Sequence, residues 1–103
     1  MTRANPYRGE AMLEVAGEAL MLRPTFGALI AAEEELGSLF ELVEQAAEGR
    51  LRLAQITALF DHLSKGRLTA ITRERIGEAV IEKGLAGITP ILRTVLAQIL
   101  QGR

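Results

Sequence analysis

The residues able to do chemistry are few, and their spacing limits what they can do. His62 is the only histidine, Asp61 precedes it, and the chain has no cysteine. Neighbouring helical positions diverge by about 100°, so Asp61 and His62 cannot share one face of a helix. A single imidazole without a thiol argues against a catalytic triad or a zinc site, and His62 reads as a partly exposed structural residue. Glu33, Glu34 and Glu35 diverge in the same way, so they read as a solvated helix face rather than a carboxylate pair or cation site. Glu33 stands apart because it falls on the stripe of Phe26, Leu29 and Ile30; buried there, it would need a cationic partner such as an arginine from another helix. The glycines form no GxGxxG, and Lys65-Gly66 has the order of a phosphate-loop pair reversed. The expectation is no catalytic residue, no metal and no cofactor, hence not an enzyme.

Two other sets suit contact rather than catalysis. Lys65, Arg67, Arg73 and Arg75 surround the junction of two expected helices, the outline of a helix-turn-helix nucleic-acid module. Against it stand a connection from Ser64 to Ala70 that exceeds the usual three or four residues, and a formal net charge of −1. The alternative is a set of solvated basic residues. Met12 and Met21 form the second set, a soft and adaptable candidate partner surface unless a helix covers it.

These residues are placed by a chain of 103 residues, 49% hydrophobic, which suffices for one domain without disulfides or a metal. No apolar run approaches the roughly 18 residues of a membrane span, and MTRANPYRG lacks the apolar core of a signal peptide. The expected compartment is therefore the cytoplasm, with no membrane partner. Residues 1–8 read as a loose arm, with Tyr7 as its contact, and 9–103 as a single domain.

Ala11, Leu13 and Val15 alternate with Glu10, Met12 and Glu14, and Leu20 and Leu22 alternate with Ala19, Met21 and Arg23. This period of two predicts a hairpin over about 10–15 and 19–23. A two-residue loop at Ala16-Gly17 sets Leu13 against Leu20, Ala11 against Leu22, Met12 against Met21 and Glu10 against Arg23. That register matches apolar with apolar and acid with base. Ala is a poor choice for the positive φ that such a turn requires. A lone hairpin is marginal in water, so its apolar face must lie on helices.

Five helices follow. Thr25 caps the first, about 26–36, and Gly37 stops it. Ser38 caps the second, about 39–48, whose stripe is Leu39, Val43 and Ala46 or Phe40, Val43 and Ala47, with Gly49 after it. The third, about 53–64, has no capping residue but carries Ile56, Leu59, Phe60 and Leu63 on one face. Thr72 caps the fourth, about 73–83, with Ile71 and Ile76 as a hydrophobic staple. Its stripe is Ile76, Ala79 and Val80, with Ile81 to one side. Thr89-Pro90 opens the fifth, about 90–101, with Pro at the first helical position and Leu92, Val95, Leu96, Ile99 and Leu100 inward. The fold class is α+β, mostly helical.

The succession NPYRGE, a hairpin with a Gly turn, LRPTFGALIAAEEELG and SLFELVEQAAEGRL resembles the small tail protein family of gene transfer agents and related siphophages, described as tail assembly chaperones and also as tail tube proteins. The likeness is strongest from Asn5 to Leu53 and runs collinearly to the C-terminus. Its most family-like part is Thr25, Phe26, Gly27, Ala28 and Leu29 with Glu33 or Glu34, Leu36 and Gly37. The chain departs from the pattern in having Ala before Gly17, where a polar residue is typical, and fewer glycines and alanines in its C-terminal half. The resemblance implies a non-catalytic chaperone that coats the tape-measure protein before tail tube subunits polymerise around it. Tape-measure and tail tube proteins are then the expected partners, with self-association. The alternatives are a structural tube subunit and the nucleic-acid module above.

Overall fold

The computed structural model describes residues 10–67 and 69–101, so the expected arm 1–8 and Tyr7 lie outside it. The chain opens on strands β1 (Ala11–Val15) and β2 (Glu18–Leu22), antiparallel, with Ala11 opposite Leu22, Met12 opposite Met21 and Leu13 opposite Leu20. The turn is the two-residue loop expected, Ala16 at φ 52 and Gly17 at φ 82. Positive φ at both centres matches the twist of the flanking strands. Ala16 is the one non-glycine described residue held there. An ion pair of 3.4 Å between Arg23 Nε and Glu10 Oε2 closes the open end. Strand β1 starts one residue later than expected and β2 starts and ends one residue earlier; Arg23, just past β2, has its N–H turned away from β1 and donates to Leu63 O at 2.8 Å.

One hairpin face, Ala11, Leu13, Val15, Leu20 and Leu22, is buried. Helix α3 (Leu53–Leu63) packs on β2, while α4 (Arg73–Lys83) and α5 (Leu85–Gln101) pack on β1. Helix α1 (Phe26–Leu36) lies on α3, and α2 (Leu39–Ala47) bridges α1 and α5. The expected α3 stripe of Ile56, Leu59, Phe60 and Leu63 is wholly buried, and so are Thr57, Ala58 and Asp61, because neighbours enclose its C-terminal turns from several sides. In place of a cap residue, the Arg52 N–H donates to Gln55 Oε1 at 2.8 Å. The α4 stripe and the Ile71–Ile76 staple are buried as expected, and Thr72 Oγ1 accepts from the Arg75 N–H at 3.3 Å.

Three expectations are corrected. In α1 the inward residues are Ala32, with Ala28, Leu29 and Leu36 packed beside it; Phe26, Ile30 and Glu33 are exposed. Small side chains let α1 approach α3 closely, which rotates the larger ones outward. In α2 the buried residue is Leu42, flanked by Val43 and Ala46, whereas Phe40 and Ala47 are exposed. Helix α2 covers only the rim of the core, so a narrow stripe suffices.

The third correction is α5, which starts at Leu85 and runs through Pro90. Gly84, at φ 85, stops α4 and accepts the Ile88 N–H at 3.0 Å, so one residue ends one helix and opens the next. Burial of Ile88 draws this extra turn onto the core. Pro90 forfeits a hydrogen bond to the Ala86 carbonyl, but Ala86 is exposed and water can reach it. Inward-facing Val95 and Leu96 agree with expectation, while Leu100 is exposed.

Candidate functional site

The charged residues converge in a way that sequence spacing did not reveal. Asp61, on the buried side of α3, receives two arginines. Arg73 at the start of α4 donates to Asp61 Oδ2 through Nε at 3.0 Å and Nη2 at 2.8 Å. Arg67, in the loop before α4, pairs through Nη2 with Asp61 Oδ1 and donates to the carbonyls of Ile71 at 2.7 Å and Asp61 at 3.0 Å. Arg73 then reaches α1, where Nη1 and Nη2 bind Glu35 Oε2 and Oε1 at 2.6 and 2.8 Å. This is the bidentate fork that favours Arg over Lys. His62 Nε2 lies 2.7 Å from Glu35 Oε1; a carboxylate only accepts, so Nε2 carries the hydrogen.

The lattice therefore links α1, α3, α4 and the loop between the last two. Arg73, and after it His62, hold the Glu35 carboxyl at about 2 against a smaller opposing effect of burial. Burial pushes the Asp61 carboxyl up, but the Arg73 hydrogen bonds and the charge of Arg67 outweigh it and leave the group below its ordinary value. Arg73 is raised in turn, by Glu35 first and Asp61 second. No reacting group stands free here. The lattice satisfies a buried acid that would otherwise be costly.

Two expectations change as a result. Glu35, rather than Glu33, is the acid that finds an arginine from another helix. Glu33 Oε2 instead accepts the Leu39 N–H at 3.2 Å, helping to cap α2. Within the basic set, Arg67 and Arg73 are engaged by Asp61 and Glu35, while Lys65 and Arg75 are exposed. The connection from Ser64 to Thr72 between the two helices is also far longer than a helix-turn-helix turn.

The family-like motif divides into structural and exposed parts. Thr25 Oγ1 accepts the Ala28 N–H at 3.3 Å, Leu29 and Leu36 pack on the core, and Gly37 at φ 89 ends the helix. Phe26, by contrast, is 82% exposed, and Phe40 beyond the motif is 76% exposed. Met12 is exposed on the outer hairpin face and faces Met21, which is half-buried. An open groove is lined by residues of β2, of α1 and of 62–67; Ala19, Met21, Gly27, Ala28 and Ala31 are among them.

Taken together, these features define a small, mostly helical domain with large apolar side chains exposed on α1, α2 and the hairpin. The family model described as "Phage tail tube protein, GTA-gp10" matches residues 8–102, and the chain belongs to that family of phage and gene transfer agent tail proteins. No curated protein and no solved structure matches it. Among the described residues, no helix is long and apolar enough to cross a membrane.

Proposed function

We propose that this tail protein acts without catalysis as an assembly chaperone in the cytoplasm, holding the tape-measure protein soluble until tube subunits polymerise around it. The observation supporting this reading is the outward placement of Phe26 and Phe40, two of the three phenylalanines. Single exposed apolar residues are ordinary, but large aromatic rings held in water at the first turns of two helices suit contact with other chains. Met12 and Ile30 extend the apolar exposure. Co-expression with a tape-measure protein should give a soluble complex that the double substitution Phe26→Ala, Phe40→Ala weakens. A tape-measure protein that stays insoluble and unbound in repeated trials overturns the reading.

A second reading, a structural tube subunit, is favoured by the family's own description. Composition of purified particles separates the two. A tube subunit is present in stoichiometric amounts, and a chaperone is absent.

A further inference from the structure

Among the described residues, the outer edge of β2 carries backbone groups with no hydrogen-bond partner. A two-residue loop makes Val15 and Glu18 a hydrogen-bonded pair, so Leu13 with Leu20 and Ala11 with Leu22 are hydrogen-bonded pairs too. The alternate residues Ala19 and Met21 therefore direct their N–H and C=O groups away from β1. Arg23 follows in the same phase, and its N–H is the one already used, by Leu63 O at 2.8 Å. Among the described residues, the chain itself thus occupies the last position of this edge and leaves the two before it open, beside the groove.

Gly27 points the same way. It lies in the first turn of α1, on the far wall of the groove. A Cβ placed there would meet nothing within 4 Å, and its φ is an ordinary one. Packing and backbone geometry therefore give no reason for glycine, which weakens a helix relative to alanine. With Ala28 and Ala31 it keeps the groove clear opposite the open edge. The charges lining the groove are ordered as well. Glu18 stands at the turn end, and Lys65 lies two residues past Leu63 at the Arg23 end. Arg67 is paired with Asp61 and Arg23 with Glu10.

We propose that the open edge of β2 and this groove take one extended strand of a partner polypeptide, antiparallel to β2, with a carboxylate at its N-terminal end against Lys65 and a cation at its C-terminal end near Glu18. Main-chain bonds to Ala19 and Met21 give affinity with little demand on sequence, as in other strand additions to a sheet edge. A groove walled by α1 and the loop after α3 fits one strand better than the hairpin of a second copy. The natural source of the strand rests on the chaperone reading, which supplies a long partner chain.

The probe is the synthetic peptide acetyl-Asp-Val-Thr-Val-Thr-Val-Thr-Lys-amide, added to the full chain labelled with nitrogen-15. Amide exchange of Ala19 and Met21 should slow about tenfold or more while Leu20 and Leu22 hardly change, the alternation that edge pairing requires. Gly27→Leu, whose Cβ meets nothing within 4 Å, should retain the fold by circular dichroism and weaken binding about tenfold by narrowing the groove. Lys65→Glu should weaken it several-fold and more so at low salt. Absence of protection, protection that grows with protein concentration alone, or binding indifferent to Gly27→Leu would each overturn the site. In a complex with the tape-measure protein, free-like exchange at Ala19 and Met21 overturns the site and leaves the chaperone function standing. Peptide protection without any such complex supports the site and overturns that function.

Discussion

Helices α1 and α3 are both eleven residues long, yet α3 buries seven of its residues and α1 only Ala32. The difference lies in their neighbours. The hairpin, α1 and α4 surround α3, so nearly every direction from its last two turns meets protein. Helix α1 rests on α3 and touches α2. Its inward face is built of alanines and leucines, and its largest apolar side chain, Phe26, turns to water. Apolar residues on an enclosed helix report the core. On a peripheral helix, size and closeness of approach decide which of them go in, and the remainder are available to partners.

Substitutions test this contrast most strongly at its buried end. Phe60 is fully buried in α3, and Phe60→Ala should cost about 3–5 kcal/mol. That is a large part of the roughly 5–15 kcal/mol that holds a domain of this size, and urea unfolding would show it as a much lower midpoint. Replacing Arg73 with Met should be the next most damaging change, about 1–3 kcal/mol. It removes one of two arginines from buried Asp61 and unties Glu35 on α1. Arg67 remains at Asp61, which keeps the loss below that of an acid left wholly unpaired.

Acid should loosen the same joint. The folded-state pKa of Glu35 is depressed from 4.5 to about 2, and that of Asp61 is lowered too. Their contribution is present above pH 4.5 and is lost as pH falls from there toward 2. Thermal unfolding followed across that window should show a declining midpoint, and the decline should be smaller in the Arg73→Met protein. An equal decline in both would mean that other carboxylates dominate.

The hairpin turn gives a smaller effect of opposite sign. Ala16 is held at φ 52, and Ala16→Asn should stabilise by about 0.5–1 kcal/mol, because Asn tolerates this region at less cost. Smallest of all should be Phe26→Ala and Phe40→Ala, each within about 0.5 kcal/mol of the parent. A loss near that of Phe60→Ala at either position would erase the contrast between the two helices.

Much of this architecture was legible without coordinates. Strict alternation in two directions around Ala16-Gly17 determined the hairpin and its register, since a slip of one residue would expose every core side chain. Side-chain caps at Thr25, Ser38 and Thr72 determined three helix starts, because an oxygen in that position satisfies otherwise orphaned N–H groups. Glycine marked where four segments turn, at positions 17, 37, 49 and 84.

Other features depended on what lay across the fold. The start of α5 was hidden because Thr89-Pro90 is a sound local start signal, overridden by the burial of Ile88. Periodicity alone leaves the inward faces of α1 and α2 open because several apolar stripes are available, and only the neighbouring helices select one. The lattice was missed because its members are 26 residues apart, from Glu35 to Asp61, and 12 apart, from Asp61 to Arg73. The groove is likewise a product of β2, α1 and the loop after α3 meeting. By itself the sequence determined the local elements, the hairpin register and the family likeness, because periodicity, caps and turns act between near neighbours. Only tertiary structure decided which faces are buried, which acid meets which arginine and where an open edge lies beside a groove, because packing and ion pairing join residues that the chain keeps apart.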